Sequence, residues 1–297
     1  MTKTEYSDAN TYFKNRFGTK VYKAAISLDV TCPNRDGTKG VGGCIFCGNG
    51  GSGEFASSKV DPIKIQIDSA VSMLQKKIKK PALYIAYFQS FTNTYCSPLY
   101  LEKELMEAAG DDRICALSIG TRPDCLNDDI IEVLKRVNAV KPVMVELGLQ
   151  TIHDKTAQWF NRCYETSEFD DSVKRLKDNG IEVICHLIFG LRDETKEMML
   201  QSVKHVVDLK VDGIKFTCLY VLKDTPLAEL WQEGKLHILE RDEYFDIVEE
   251  ALKLIPKDII IHRLTGDGPK KLLLAPSWTK DKRSVVNYIN NRFEHGG

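Results

Sequence analysis

Short apolar, β-rich runs alternate with amphipathic segments of helical length from about residue 21 to residue 255, and this alternation restricts the fold more than any other feature of the chain. Strands separated by helices pair in parallel, because a parallel neighbour needs a crossover of a dozen residues or more. The runs Val21–Val30, Ala82–Phe88, Ile114–Gly120, Pro142–Leu149, Ile181–Phe189 and Gly213–Leu219 predict six strands. After the first, Asp61 caps a helix with Pro62 in its first turn and Ile63, Ile67, Val71, Leu74 and Ile78 on one face. Asn127 opens another helix, Gly180 closes the one carrying Val173 and Leu176, and Glu194–Leu209 and Glu240–Ile255 supply two more. Six βα units fall short of the eight of a closed barrel. The expected fold is therefore α/β, a partial (β/α)6 TIM-like barrel with its site at the C-terminal ends of the strands. A short β/α extension follows, with a strand at Ile259–Leu264 and a helix over about Lys280–Phe293. Without repeats or a Pro/Gly linker, residues 1–297 read as a single domain with a basic N-terminal segment, 1–20, and a basic C-terminal extension, 256–297.

Charge and cysteine content narrow the setting. The net charge is −1, yet residues 1–24 carry five Lys/Arg against two acids, and residues 256–297 carry eight against four. Such ends are either ordinary solvated charge or a footprint for a polyanion. No apolar run approaches the roughly 20 residues of a membrane span, and the polar start lacks a secretory leader, so a cytoplasmic protein without membrane contact is expected. The nine cysteines, scattered and odd in number, do not form a disulfide framework.

Three of them stand together. The segment Thr31–Ser58, directly after the first strand, is long, polar and Gly-rich, and places Cys32, Cys44 and Cys47 as C-x11-C-x2-C. Four thiolates close a structural metal site, whereas three leave a metal position open for chemistry. A zinc knuckle completed by a distant ligand such as His186 is the alternative. Gly37, Gly40, Gly42, Gly43, Gly48, Gly50, Gly51 and Gly53 allow the backbone to wrap a bulkier group than one ion.

The motifs taken together resemble the radical SAM proteins of the YtqA/YhcC family, related to the radical SAM part of the Elongator catalytic subunit. The resemblance runs nearly end to end. It rests on NTYFKNRFG before the first strand, CPNRDGTKGVGGCIFC in the loop, YFQSFTNTY, SIGTRPDCL, VELGLQT, HLIFGLRDET and KFTCLYVLKDTPL at the following strand ends, and HRLTGD and APSW near the end. The long first gap between cysteines departs from the superfamily's commonest C-x3-C-x2-C spacing and is itself a mark of this family. The resemblance implies the radical SAM fold, a [4Fe–4S] cluster held by Cys32, Cys44 and Cys47, and S-adenosylmethionine bound to the iron left free.

Further positions follow from it. Phe46 occupies the aromatic position whose backbone meets the adenine; otherwise it is a core residue beneath the loop. Gln89, Ser90 and Asn93 stand where the superfamily has a Gly-rich turn that receives the methionine moiety, and their side chains suit an amino-acid head group. Glu146 and Gln150, polar on an apolar strand, are assigned to S-adenosylmethionine or substrate. Arg162 is read as a fork for a carboxylate or phosphate, or as a surface arginine. His186 stands beside the adenine position or is simply satisfied in the core. Lys215, on an interior strand, requires an anionic partner or an exposed mouth. Thr225 and Leu227 belong to the same rim. The remaining cysteines read as packing, with Cys125 the one at a strand end, and Trp278 either packs or stacks a base.

The implied reaction is reductive cleavage of S-adenosylmethionine to a 5′-deoxyadenosyl radical, with electrons from a donor such as flavodoxin or ferredoxin. The kinship to Elongator and the basic ends point to transfer RNA, with a wobble-uridine carboxymethylaminomethyl group shortened to aminomethyl. Acetyl transfer is not expected, since 297 residues leave no room for an acetyltransferase domain, nor methylthiolation, which would bring three further cysteines in an N-terminal domain. A radical SAM enzyme acting on a small metabolite and a noncatalytic zinc-containing RNA-binding module remain the alternatives. The sequence is silent on oligomeric state.

Overall fold

The computed structural model describes residues 4–48, 50–51, 61–78, 80–266 and 268–296. Lys3 and the far end of the cysteine loop, with Gly53, lie outside the described residues. In chain order the elements are β1 (Thr4–Ser7), α1 (Ala9–Phe17), β2 (Val21–Ile26), α2 (Ile63–Gln75), β3 (Leu83–Phe88), α3 (Pro98–Ala109), β4 (Ile114–Thr121), α4 (Asp128–Asn138), β5 (Val143–Gln150), α5 (Asp154–Trp159), α6 (Thr166–Asp178), β6 (Glu182–Phe189), α7 (Lys196–Asp208), β7 (Gly213–Cys218), β8 (Val221–Leu222), α8 (Pro226–Gln232), α9 (Arg241–Lys253), β9 (Ile260–Arg263), β10 (Leu273–Ala275), α10 (Lys282–Arg292) and β11 (Phe293–Gly296).

The main sheet has the order β2-β3-β4-β5-β6-β7-β9, parallel throughout. The six expected strands form in sequence order as a partial barrel. The seventh, expected as part of a C-terminal extension, joins the same sheet beside β7. Asn127 caps α4 through its side chain, and Gly180, at φ +68°, turns the chain out of α6. The cap expected of Asp61 is absent: α2 starts at Ile63 after Pro62, and Asp61 instead accepts Gln66 Nε2 through its carbonyl. The parallel pair β1–β11 and the antiparallel pair β8–β10 were not anticipated, each being too short to give a period.

Alternate strand residues point to opposite faces, and the barrel uses the two sets differently. The outward set, including Ala86, Leu117, Val145, Val183 and Phe216, packs in one core with residues of the surrounding helices such as Ile67, Leu105, Leu134 and Val203. The inward set changes character along the strands. At their N-terminal ends Ile85, Ala116, Met144 and Ile184 form an apolar layer that Phe13 of α1 closes. One step on, Tyr87, Ser118, Glu146 and His186 make a polar layer, joined by Lys23 from β2 and Lys215 from β7. At the C-terminal ends Gly120 and Gly148 contribute no side chain. The result is a floor of hydrocarbon, a polar middle and an open mouth, which is where the cysteine loop sits.

Candidate active site

The loop after β2 is fastened from several sides. The side chain of Asn34 donates to the carbonyl of Asn161, and that of Asn161 donates to the carbonyl of Gly43 at 2.9 Å, clasping the loop to the segment after α5. Ile45 N–H donates to Phe160 O, and Leu227 N–H donates to Ile45 O. Within the loop Arg35 donates to the carbonyls of Cys47 and Gly48 at 3.0 and 2.7 Å and lies over the Phe91 ring. That ring packs so closely on Gly51, at φ +61°, that a Cβ there would intersect it.

Cys32, Cys44 and Cys47 line one cavity of about 210 Å³, together with Phe46, Gln89, Ser90, Arg122, Glu146, Gln150, Arg162, Tyr164 and His186 among others. Burial pushes the Cys44 thiol up to about 12, with Cys47 and Cys32 adding to the rise and Arg122 opposing it. A buried thiol with this resistance to ionisation is stabilised as a thiolate by a bound metal. Among the described residues no three His, Cys, Asp or Glu groups converge as the donors of a single ion. Three thiols lining one cavity are the donor set of a cluster that takes one iron per thiolate and leaves a further iron open.

At the end of β3, Ser90 and Phe91 both adopt left-handed backbone, φ +71° and +55°. Glycine takes this conformation freely and these residues do so at a cost. The segment FQSFTN therefore follows the kind of path that a Gly-rich turn would follow without glycine.

Below lies a second cavity of about 420 Å³, which shares Phe46, Tyr87, Gln89, Gln150 and His186 with the first and adds Lys23, Lys215, Thr217, Tyr220, His262 and Arg263. Glu146, which lines the first cavity and is 1% exposed, organises the polar layer. The carboxylate accepts Ser118 Oγ at 2.5 Å and Lys23 Nζ at 2.7 Å on one oxygen, and Lys215 Nζ on the other, where His186 Nε2 also sits at 2.9 Å. Both ammonium groups also face the Tyr87 ring, at 4.4 and 4.8 Å from its centroid. Burial disfavours the Glu146 carboxylate, but Lys215 and Lys23 outweigh it and hold the pKa well below the usual carboxylate range. Burial and then Lys215 push His186 down to about 4, so its imidazole is neutral near pH 7.

The structure thus brings eleven of the twelve expected site residues to two joined cavities and sets Asn93 apart. Asn93 is fully buried, and its amide donates to the carbonyls of Phe88 and Gly120, tying the end of β3 to β4. Arg162 borders the first cavity, but it is 1% exposed and is not the surface residue considered above. Its Nε donates to Tyr164 O, Nη1 to Leu149 O and Thr151 O, and Nη2 to Asp154 and Thr166, which uses all five donors and leaves none for a ligand. Glu146 is likewise saturated by protein groups. Thr225 caps α8 and Leu227 is core. Trp278 packs on Tyr244 and Phe245 and donates Nε1–H to Leu239 O, so packing is its role. Cys125 lies outside both cavities, and burial pushes its thiol up to about 12.

The basic ends are less free than charge counting suggested. Lys23 and Arg263 are inside the barrel, while Arg16, Lys257 and Arg292 pair with Glu182, Glu5, and Asp246 with Glu249, respectively. Lys223, Lys270 and Lys271 are exposed on the β8–β10 segment that follows the ends of β7 and β9. Sequence reading passed over Arg122, Tyr164, Tyr87 and Arg263. Arg122 forms a two-point pair with Asp124 and stacks on Tyr164 at the cysteine cavity. Its only sequence signal was a position in the strand-end motif SIGTRPDCL.

Residues 32–206 match the family model described as the Radical SAM superfamily, and residues 211–295 match the Radical_SAM C-terminal domain. Protein YtqA of Bacillus subtilis is 40% identical over 296 residues, covering 100% of this chain and 92% of that one. The tRNA uridine(34) acetyltransferase of Methanocaldococcus jannaschii is 27% identical over 176 residues, 58% of this chain and 32% of that protein. Among solved structures, the archaeal Elp3 of Methanocaldococcus infernus superposes with a TM-score of 0.68 at 19% identity, covering 91% of this chain and 63% of that one, a likeness of fold. The chain belongs to the radical SAM superfamily; it is an enzyme, and its cofactors are a [4Fe–4S] cluster and S-adenosylmethionine. No helix among the described residues is long and apolar enough to cross a membrane.

Proposed function

We propose that this enzyme acts on the wobble uridine of transfer RNA, shortening a carboxymethylaminomethyl side chain to aminomethyl: with S-adenosylmethionine as the two-electron oxidant, the carbon beside the amine loses a hydrogen atom and an electron, water adds to the resulting imine, and the C–N bond breaks to leave the amine and release the two-carbon fragment as glyoxylate. The observation that carries the reading is the adjacency of the two cavities: the thiol-lined space shares Phe46, Tyr87, Gln89, Gln150 and His186 with a polar chamber of about 420 Å³. When bound, a reduced cluster would supply the electron for cleavage of S-adenosylmethionine to methionine and a hydrogen-abstracting 5′-deoxyadenosyl radical. Cys32, Cys44 and Cys47 hold the cluster in this reading, and Phe46, Gln89, Ser90, Gln150 and His186 border the nucleoside and amino-acid parts of S-adenosylmethionine. Arg162 and Asn93 are positioning residues that fix the strand ends around it. The saturated Glu146 keeps Lys23 and Lys215 in place beneath the reacting carbon, and the apolar floor around Phe13 excludes water.

The transfer RNA part rests on the relationship to the tRNA uridine(34) acetyltransferase and on Lys223, Lys270 and Lys271 beside the mouth, where phosphates would meet them. The decisive assay follows 5′-deoxyadenosine in the anaerobically reconstituted protein with a strong reductant, with and without transfer RNA from a deletion strain. Stimulation by that RNA, with conversion of its uridine, supports the reading. Radical formation indifferent to RNA favours a small metabolite instead, a reading that the same enclosed chamber accommodates.

A further inference from the structure

The chamber beside the thiol cavity is lined by three basic side chains and by no described acidic one, and the geometry points to a subsite there for a carboxylate of the substrate, received by Arg263 and Lys215. The inference rests on the reading that this chamber takes the substrate and adds to it the group that is recognised.

Three basic side chains border the space, Lys23, Lys215 and Arg263, and none of its described lining residues is acidic; burial pulls the pKa of Lys215 well down, with Glu146 opposing the fall. Behind the wall Glu146 supplies one carboxylate, and Ser118, Lys23, Lys215 and His186 already occupy its oxygens. His186 and His262 add no compensating charge in either sense, since burial keeps both imidazoles neutral near pH 7. Arg263 is the least committed of the three. Its Nη2 donates to Thr217 Oγ1, and its Nε–H is buried with no hydrogen-bond partner. A buried donor left unpaired is costly and marks a place where a partner belongs. A guanidinium's planar fork of N–H donors matches the two oxygens of a carboxylate, and Lys215 stands beside Arg263 in strand register as a second donor. The adjoining Nδ1 of His262, also buried and unpaired, is a further polar contact at the same wall.

Position gives the subsite its purpose. At about 420 Å³ the chamber admits a short arm, and it shares Phe46, Tyr87, Gln89, Gln150 and His186 with the thiol cavity. A carboxylate held at Arg263 leaves the carbon next to it directed towards the place where the radical forms. Orientation of this kind, with the charged end fixed and the reacting carbon presented, is a recognised source of rate.

The test uses anticodon stem-loop RNAs whose uridine carries either carboxymethylaminomethyl or the matching carboxamide, with the reconstituted full-length enzyme. The expected wild-type result is a preference of about tenfold or more in kcat/KM for the carboxylate RNA, the scale of one charge-assisted contact. In Arg263→Gln that preference is expected to collapse to about threefold or less while Arg263→Lys keeps part of it. Because the readout is a ratio within each variant, a general loss of activity does not imitate it. Equal use of both RNAs by the wild type, or full preference retained in Arg263→Gln, overturns the proposal. If neither RNA stimulates the wild type, the transfer RNA reading fails and bromide decides the subsite. An anomalous peak between Lys215 and Arg263 in soaked wild-type crystals, absent in Arg263→Gln, supports it, and no peak in the wild type overturns it.

Discussion

The carboxylate of Glu146 on β5 takes the ammonium of Lys215 on β7 across the barrel interior, with both side chains almost wholly buried. The pair fixes the polar middle of the barrel, since Lys23 and His186 meet the same carboxylate from β2 and β6.

Removing the acid alone strands its partners. Glu146→Gln is expected to lower stability by about 3–5 kcal/mol, because Lys215 would stay buried with no counter-charge and the partly exposed Lys23 would lose its partner. Urea unfolding of the reconstituted protein measures this. A second change, Lys215→Met on top of Glu146→Gln, should recover part of the loss, whereas independent sites would simply add.

The three loop cysteines should behave as a set. Cys32→Ala, Cys44→Ala and Cys47→Ala are each expected to reduce iron from roughly four per chain to near none and to abolish the cluster's visible absorption. Cys125→Ala and Cys163→Ala should retain iron, although Cys163 sits close to Gly40 of the loop. Iron and sulfide analysis after anaerobic reconstitution checks both halves of the statement.

What the sequence disclosed, and what it withheld, follows from distance along the chain. The cysteine loop was legible because its spacing is local, and the strands because period two and period 3.6 are local too. The polar layer was legible only in part: Glu146 and Lys215 looked out of place on apolar strands, but their partner Lys23 lies 123 residues from Glu146 and was counted with the basic N-terminus. Arg162 was picked out, but its buried role could not be read. Its acceptors are mostly backbone carbonyls of residues 149, 151 and 164, which carry no residue code. Arg263 was likewise masked by the basic composition of the region around it.

Arg162 supplies a sharp test of that buried role. Lysine offers three donors on one nitrogen and cannot reach five acceptors arranged around a planar fork. Arg162→Lys is therefore expected to cost about 2–4 kcal/mol, with the loss appearing as a lower thermal midpoint and weaker retention of the loop that Asn161 clasps. Equal stability of the variant would show that the carbonyls find water instead.

His186 sets a pH dependence of definite sign. Its pKa is near 6.5 in the unfolded chain and about 4 in the folded protein, because burial and Lys215 oppose the imidazolium. Above about pH 6.5 the ring is neutral in both states and contributes nothing to the balance. Between these values the unfolded chain takes up a proton that the folded protein refuses, so stability falls as pH drops and levels off below about 4. Because the side chain is about a quarter exposed, the loss is put on the order of 2 kcal/mol, less than full burial would give. His186→Gln, which keeps a donor for Glu146 and cannot titrate, should flatten this part of the profile. The check is the difference between wild type and variant in urea midpoint at pH 7 and pH 5, which removes the carboxylates common to both. A variant that loses as much stability as the wild type over that interval would assign the acid sensitivity to other groups and remove His186 from the polar layer's electrostatics.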